Sequence, residues 1–122
     1  MTSFRALRLG AGPMLPSADP FGAGLIHAPG PAARRAESLG FDIVWTGDHI
    51  QFHSEMLECT TTLAAAAGAT ERIRIGSGVL LVAIRPPALV AKNVATLQLV
   101  SGGRFVLGVG VGGENPAEWE AM

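Results

Sequence analysis

His49, next to Asp48, is the residue whose type best suits proton transfer in this chain. An imidazole titrates near neutral pH. It can act as general acid or base, or donate a hydrogen bond to an electron-rich ring. Asp48 suits orienting a loop or capping a turn, and Asp48-His49 also reads as ordinary turn chemistry. His53 follows four residues on, but no third ligand is evident, so zinc is not expected. His27 stands in a loop with no placed partner. Cys59 is the chain's one cysteine, which excludes an internal disulfide and fits a reducing compartment. It falls in a helical stretch, where a buried inert thiol is the better reading than a nucleophile. Arg85 suits an anion contact, although a solvated surface arginine is the commoner case.

The glycines give a second set of candidates. Gly108-Val109-Gly110-Val111-Gly112-Gly113 has the G-x-G-x-x-G spacing that binds dinucleotides when it follows a strand. That fingerprint needs a helix opening within the glycines, so that its N-terminus faces the pyrophosphate. Here Glu114, Asn115 and Pro116 intervene, and the Glu114 carboxylate repels phosphate. Two readings remain. Bare backbone at Gly110 and Gly112 lets a flat ligand approach closely, or the glycines serve tight packing. The turn Gly76-Ser77-Gly78 carries the same two readings.

These candidates fall where apolar runs end. The first strand is expected over Phe4–Gly12. The segment 13–31 holds Pro13, Pro16, Pro20, Pro29 and Pro31 with Gly22, Gly24 and Gly30, the composition of a loop. A helix is expected from Pro31 to Leu39, closed by Gly40. Phe41–Thr46 reads as the second strand and Glu55–Gly68 as a helix, against which Thr60, Thr61 and Thr62 count weakly. Arg72–Leu81 is a third strand. Pro86 and Pro87 open a helix with Val90, Val94 and Leu97 at helical spacing, and Gly102-Gly103 closes it. Arg104–Val109 is the fourth strand. Asn115 is an N-cap, Pro116 a first helical residue and Glu118 an acid favourable in the first turn. Trp45 and Trp119 read as core or helix-packing residues.

The later strands start about thirty residues apart, which is one βα unit each. Four such units make either half of an eight-stranded barrel or a small open sheet. In both, functional groups gather where strands end and helices begin. The chain has 122 residues, 48% of them hydrophobic, and a formal net charge of −1. That is one domain with ample core and nothing to draw it to nucleic acid or an anionic membrane. No signal peptide or membrane-spanning run is evident, so a soluble cytoplasmic protein is expected.

Three segments carry a resemblance: AESLGFDIVWTGDH, RPPALVAKNVATLQLVSGGR and LGVGVGGE. Over residues 32–122, in order and with natural spacing, the chain resembles the bacterial luciferase-like oxidoreductases. These are flavin-dependent monooxygenases and deazaflavin-dependent enzymes that share a (βα)8 TIM-type barrel. The resemblance implies an α/β fold, a single partial barrel domain over 1–122 made of the four N-terminal βα units and stopping in the helix after the fourth strand. It implies a reduced FMN or the deazaflavin coenzyme F420, used to pass a hydride to a small organic substrate or to oxygenate it. His49 falls at the family's histidine near the ring. Gly78-Val79 falls where deazaflavin members have a non-prolyl cis peptide against the ring. Glu114 falls at an acidic catalytic position of some deazaflavin-dependent dehydrogenases. Asp48, Gly110 and Gly112 fall beside these as cofactor-binding positions, and no metal is implied. Those dehydrogenases carry tryptophan four residues after the histidine, where this chain has His53, which argues against a sugar-phosphate dehydrogenase. Half a barrel leaves two open edges, so self-association is expected. The alternatives are a non-catalytic half-barrel module and a nicotinamide-binding open sheet, the latter requiring a helix that starts at Gly110.

Overall fold

A computed structural model describes residues 10–15, 28–113 and 115–122. The described residues form a parallel sheet and four α-helices: α1 (Pro29–Ser38), α2 (Cys59–Ala69), α3 (Pro87–Val100) and α4 (Pro116–Glu120). The main strands are β1 (Ile43–Thr46), β2 (Arg74–Ser77) and β4 (Phe105–Val106), paired in the order β1-β2-β4. Ile43 lies beside Arg74, and Ile75 beside Phe105. Sequential parallel strands joined by helices are what right-handed βα units produce.

The start of the chain departs from expectation. Most of the strand expected over 4–12 lies outside the described residues. What is described lies along β1 further on: Asp42 N donates to Ala11 O (3.0 Å), Trp45 N to Pro13 O (3.0 Å), and Leu15 N to Trp45 O (2.6 Å). The 13–31 segment is therefore not loop throughout. Its first residues run parallel to β1 at Met14, and its last three belong to α1, which opens at Pro29 rather than Pro31. Proline has no N–H to offer a sheet. At Pro13 only the carbonyl is needed, so the residue is tolerated there.

Helix α2 also starts later than the apolar pattern indicates. Glu58 caps it: its carboxylate accepts from Thr61 N (2.7 Å) and from the Thr60 hydroxyl (2.9 Å). The threonines do not break it, because Leu63, Ala66 and Ala67 are buried against the sheet and packing overrides propensity. The core joins that face to Ala33 and Ala36 of α1, Val44 and Ile75 of the sheet, and Leu97 of α3. Gly102 and Gly103, with φ of 64° and 83°, close α3 in the left-handed conformation.

The third and fourth strands each break in two. After β2 comes β3 (Leu80–Leu81), and after β4 comes β5 (Val109–Gly110); β3 and β5 pair in parallel, Leu80 beside Val109. The peptide bond Gly78-Val79, between β2 and β3, is cis, as the resemblance implies. The Ser77 side chain spans the gap. Its hydroxyl donates to Gly108 O (2.9 Å) and accepts from Gly108 N (3.0 Å). One side chain thus satisfies two backbone groups that the broken ladder would leave open. Each expected single strand, Arg72–Leu81 and Arg104–Val109, reads as one apolar run because the break falls at small residues that do not interrupt the pattern.

The other end of the sheet is held by two side chains. The Arg104 guanidinium donates to carbonyls of Ala67, Thr70, Ile73 and Ser101, all at 2.7–3.0 Å. A cation there complements the C-termini of α2 and α3. Glu37 accepts from the N–H groups of Arg72 (2.6 Å) and Ile73 (2.8 Å). The Ile73 and Arg72 amides hold its carboxyl below the ordinary 4.5. A carboxylate depressed in the folded state stabilises above its unfolded pKa and loses that contribution as pH falls through the folded one. Glu37→Gln is therefore expected to cost about 1 kcal/mol at neutral pH, a modest figure because the group is solvent-screened. The difference between variant and parent should close on acidification below 4.5. Urea midpoints across that range check this; a gap that persists in acid would refute it. Among the described residues, no helix is long and apolar enough to cross a membrane.

Candidate functional site at the strand ends

The loops after β1 and after β5 meet at the C-terminal edge of the sheet. Between them lies a cavity of about 380 Å³. Its wall includes Asp48 and His49 from the first loop, Gly78 and Val79 from the β2–β3 break, and Gly110 and Gly112 from the last. Six of the seven residues singled out from the sequence are thus gathered in one place. The seventh, Glu114, lies outside the described residues.

Each is held there for a definable reason. Asp48 is 3% exposed. Its carboxylate accepts from Leu81 N (2.9 Å) and from Arg85 Nη2 (2.6 Å). A second Arg85 nitrogen, Nη1, stands 3.5 Å from Glu58. Asp48 thus supports the cavity wall through protein donors on both carboxylate oxygens. Arg85 is not a solvated surface residue: its side chain is 15% exposed. It ties the loop after β1 to the N-cap of α2. Burial pushes Glu58 up, but the Thr61 and Thr60 amides outweigh it and its carboxyl sits low. It stays charged as Arg85's second partner.

His49 stacks on Phe52, ring centroids 4.3 Å apart, and Phe52 packs in turn on His53 at 3.9 Å. His49 Nδ1 lies 3.1 Å from Glu118 Oε1. Glu118 was legible only as an acid suited to a helix's first turn. It is in that turn, yet its side chain reaches back to the loop after β1, where Ile50 N (2.7 Å) and Gln51 N (3.4 Å) also donate to Oε1. Asn115, the N-cap of α4, adds a bond from its side-chain amide to Gln51 O (2.8 Å). Glu118 is 1% exposed and borders the same cavity. Trp119 beside it is 48% exposed rather than packed away. Cys59 is buried, and burial pushes its thiol to about 12, the inert state expected of it.

The glycines shape the floor. A Cβ at Gly110 would overlap Val79 Cγ2, and Gly112 takes a φ of 75° that side-chain-bearing residues rarely adopt. At Gly76 a Cβ would come within 2.5 Å of the Trp45 ring, so this glycine makes room for tryptophan rather than for a ligand. The helix after the glycine run opens at Pro116. Among the described residues no helix opens within Gly108–Gly113, and the dinucleotide reading fails on that ground.

The luciferase-like monooxygenase profile matches residues 23–121. The chain belongs to the luciferase-like monooxygenase family. It is 42% identical over 85 residues to an F420-dependent glucose-6-phosphate dehydrogenase of Amycolatopsis mediterranei, covering 66% of this chain and 26% of that protein. It is 39% identical over 77 residues to a 5,10-methylenetetrahydromethanopterin reductase of Methanopyrus kandleri, covering 63% and 21%. Among solved structures, the monooxygenase RslO1 of Streptomyces bottropensis superposes with a TM-score of 0.77 at 31% identity, over 90% of this chain and 35% of that one. The F420-dependent tetrahydromethanopterin reductase of Methanopyrus kandleri gives 0.73 at 29%, over 95% and 30%. This luciferase-like chain thus spans about a quarter of the curated relatives and about a third of the solved chains it matches.

Proposed function

We propose that the chain forms part of an oxidoreductase whose cofactor is a reduced flavin or deazaflavin, FMN or coenzyme F420. The observation that carries this is the convergence of His49 with the bare backbone of Gly78, Gly110 and Gly112 on one cavity. The cavity suits a flat ring on its own terms, because the bare backbone of Gly78, Gly110 and Gly112 lines it and leaves room for close approach. Two relatives that are F420-dependent by name support the reading; a monooxygenase that shares the fold is known in complex with FMN, so the two cofactors are not separated.

When bound, the reduced ring supplies a hydride to an electrophilic carbon or electrons to oxygen. The chain's own residues do the rest. Gly78, Val79, Gly110 and Gly112 would hold the ring. His49 would hand over the proton that the carbon's partner atom needs once hydride has been delivered. Asp48 and Arg85 keep the loop after β1 rigid, and Phe52 backs the imidazole. The substrate is a small organic molecule, and hydride transfer and oxygenation both remain open to this wall of the site.

Titration of FMN and of F420 with the purified chain, followed by cofactor fluorescence, tests the proposal. One of the two should be quenched to saturation, and Gly110→Leu should weaken that binding at least about tenfold by filling the floor. A folded chain, by circular dichroism, that quenches neither would overturn it. That outcome would favour the second reading, a half-barrel assembly module. Leu107, Val109 and Val111 support that reading: they are 41%, 58% and 70% exposed along the last strands, apolar surface of the kind another sheet covers.

A further inference from the structure

Glu118 does more than tie α4 to the loop after β1. We propose that it is a positioning residue that fixes the tautomer of His49, so that Nδ1 carries the proton and Nε2 is the atom presented for proton exchange. The inference rests on the functional reading of His49 given above, but its evidence is separate. Glu118 Oε1 lies 3.1 Å from His49 Nδ1 and accepts from two backbone amides at the same time. Those amides can only donate, so Oε1 is committed as an acceptor. A carboxylate oxygen facing an imidazole nitrogen at that distance requires the hydrogen on the nitrogen. The neutral ring then keeps its lone pair on Nε2, the nitrogen with no hydrogen-bond partner among the described residues.

Two further features make the arrangement specific. The carboxylate is 1% exposed, so water does not compete for the bond and the preference it imposes is strong. Its other oxygen, Oε2, has no hydrogen-bond partner among the described residues. Phe52 stacking on one face of the ring fixes its plane, and Glu118 fixes its edge. The pattern is that of a base oriented by a third group.

The test uses the cofactor-free chain, so it stands whether or not a cofactor binds. Long-range ¹H–¹⁵N correlation spectra report which imidazole nitrogen of His49 is protonated. The parent should show protonated Nδ1, with bare Nε2 in the neutral ring. Glu118→Gln, whose side-chain oxygen still accepts, should keep that tautomer. Glu118→Leu should convert most of the population to protonated Nε2. A Glu118 that merely pins the loop through Ile50 would leave the ratio unchanged in Glu118→Leu, and that result overturns the proposal. So does a parent spectrum with bare Nδ1. Should Glu118→Leu not fold, the parent and Glu118→Gln spectra still decide: loss of the Nδ1 proton in either counts against it. Failure of the cofactor titration with the tautomer result intact would refute the functional reading and leave the positioning geometry standing.

Discussion

Asp48→Ala is expected to lower folding stability by about 3–5 kcal/mol, the range for breaking one side of a buried ion pair. The substitution removes three things together. Arg85 loses the partner at 2.6 Å and keeps Glu58 at 3.5 Å. Leu81 N, donating to Asp48 at 2.9 Å in a buried position, is left without an acceptor, which alone costs about 1–3 kcal/mol. The loop after β1 loses its tie to β3. Domains of this size are stable by about 5–15 kcal/mol, so the variant should sit close to unfolding at room temperature. Asp48→Asn separates the contributions, since an amide oxygen still serves Leu81 while the charge on Arg85 goes unmatched; it should fall between parent and Asp48→Ala. Urea denaturation measures all three. A loss below about 1 kcal/mol for Asp48→Ala would mean that the network is ornamental.

Gly108→Ala should be nearly as damaging, at about 3 kcal/mol, the upper end for overpacking. The added methyl would overlap the Ser77 carbonyl oxygen, and that oxygen belongs to the backbone of a paired strand with nowhere to move. The contrast with Gly110→Ala is informative. There the methyl meets Val79 Cγ2, a side-chain atom at 41% exposure that can turn away, so about 1 kcal/mol is expected. The Ser77 hydroxyl bonds to Gly108 O and N should also fail in Gly108→Ala, raising the hydrogen-exchange rate of the Gly108 amide selectively. Equal stability of the two alanine variants would show that the sheet break is softer than its geometry implies.

The fold was legible wherever period and punctuation carry it. Apolar runs after Gly40 and Gly103, the Pro86-Pro87 opening and Asn115-Pro116 all mark elements correctly, because helix ends need particular residues. The site was half legible. His49 and the glycines stand out because their types are chemically distinctive at strand ends. Glu118 does not, because its partner His49 is 69 residues away and a helix first turn already explains an acid there. Arg85 and Asp48 are 37 residues apart, and nothing local in either says that the other is near. Arg104 was invisible for a different reason: most of its acceptors are main-chain carbonyls, which leave no mark in a sequence. The same holds for residues 11–15, whose place beside β1 is written in carbonyls and amides rather than side chains.

The Ser77 hydroxyl has a consequence for how such sheets diversify. Where a strand bends, register is ordinarily a collective property of many backbone bonds, and no single codon controls it. Here one side chain both gives to and takes from Gly108, so the location of the bend is a discrete, single-residue trait. A hydroxyl opposite a glycine on the neighbouring parallel strand is a portable two-residue device. Moved one repeat along another parallel sheet, it would relocate the break, and the cavity beside it, without redesigning the strands that carry it.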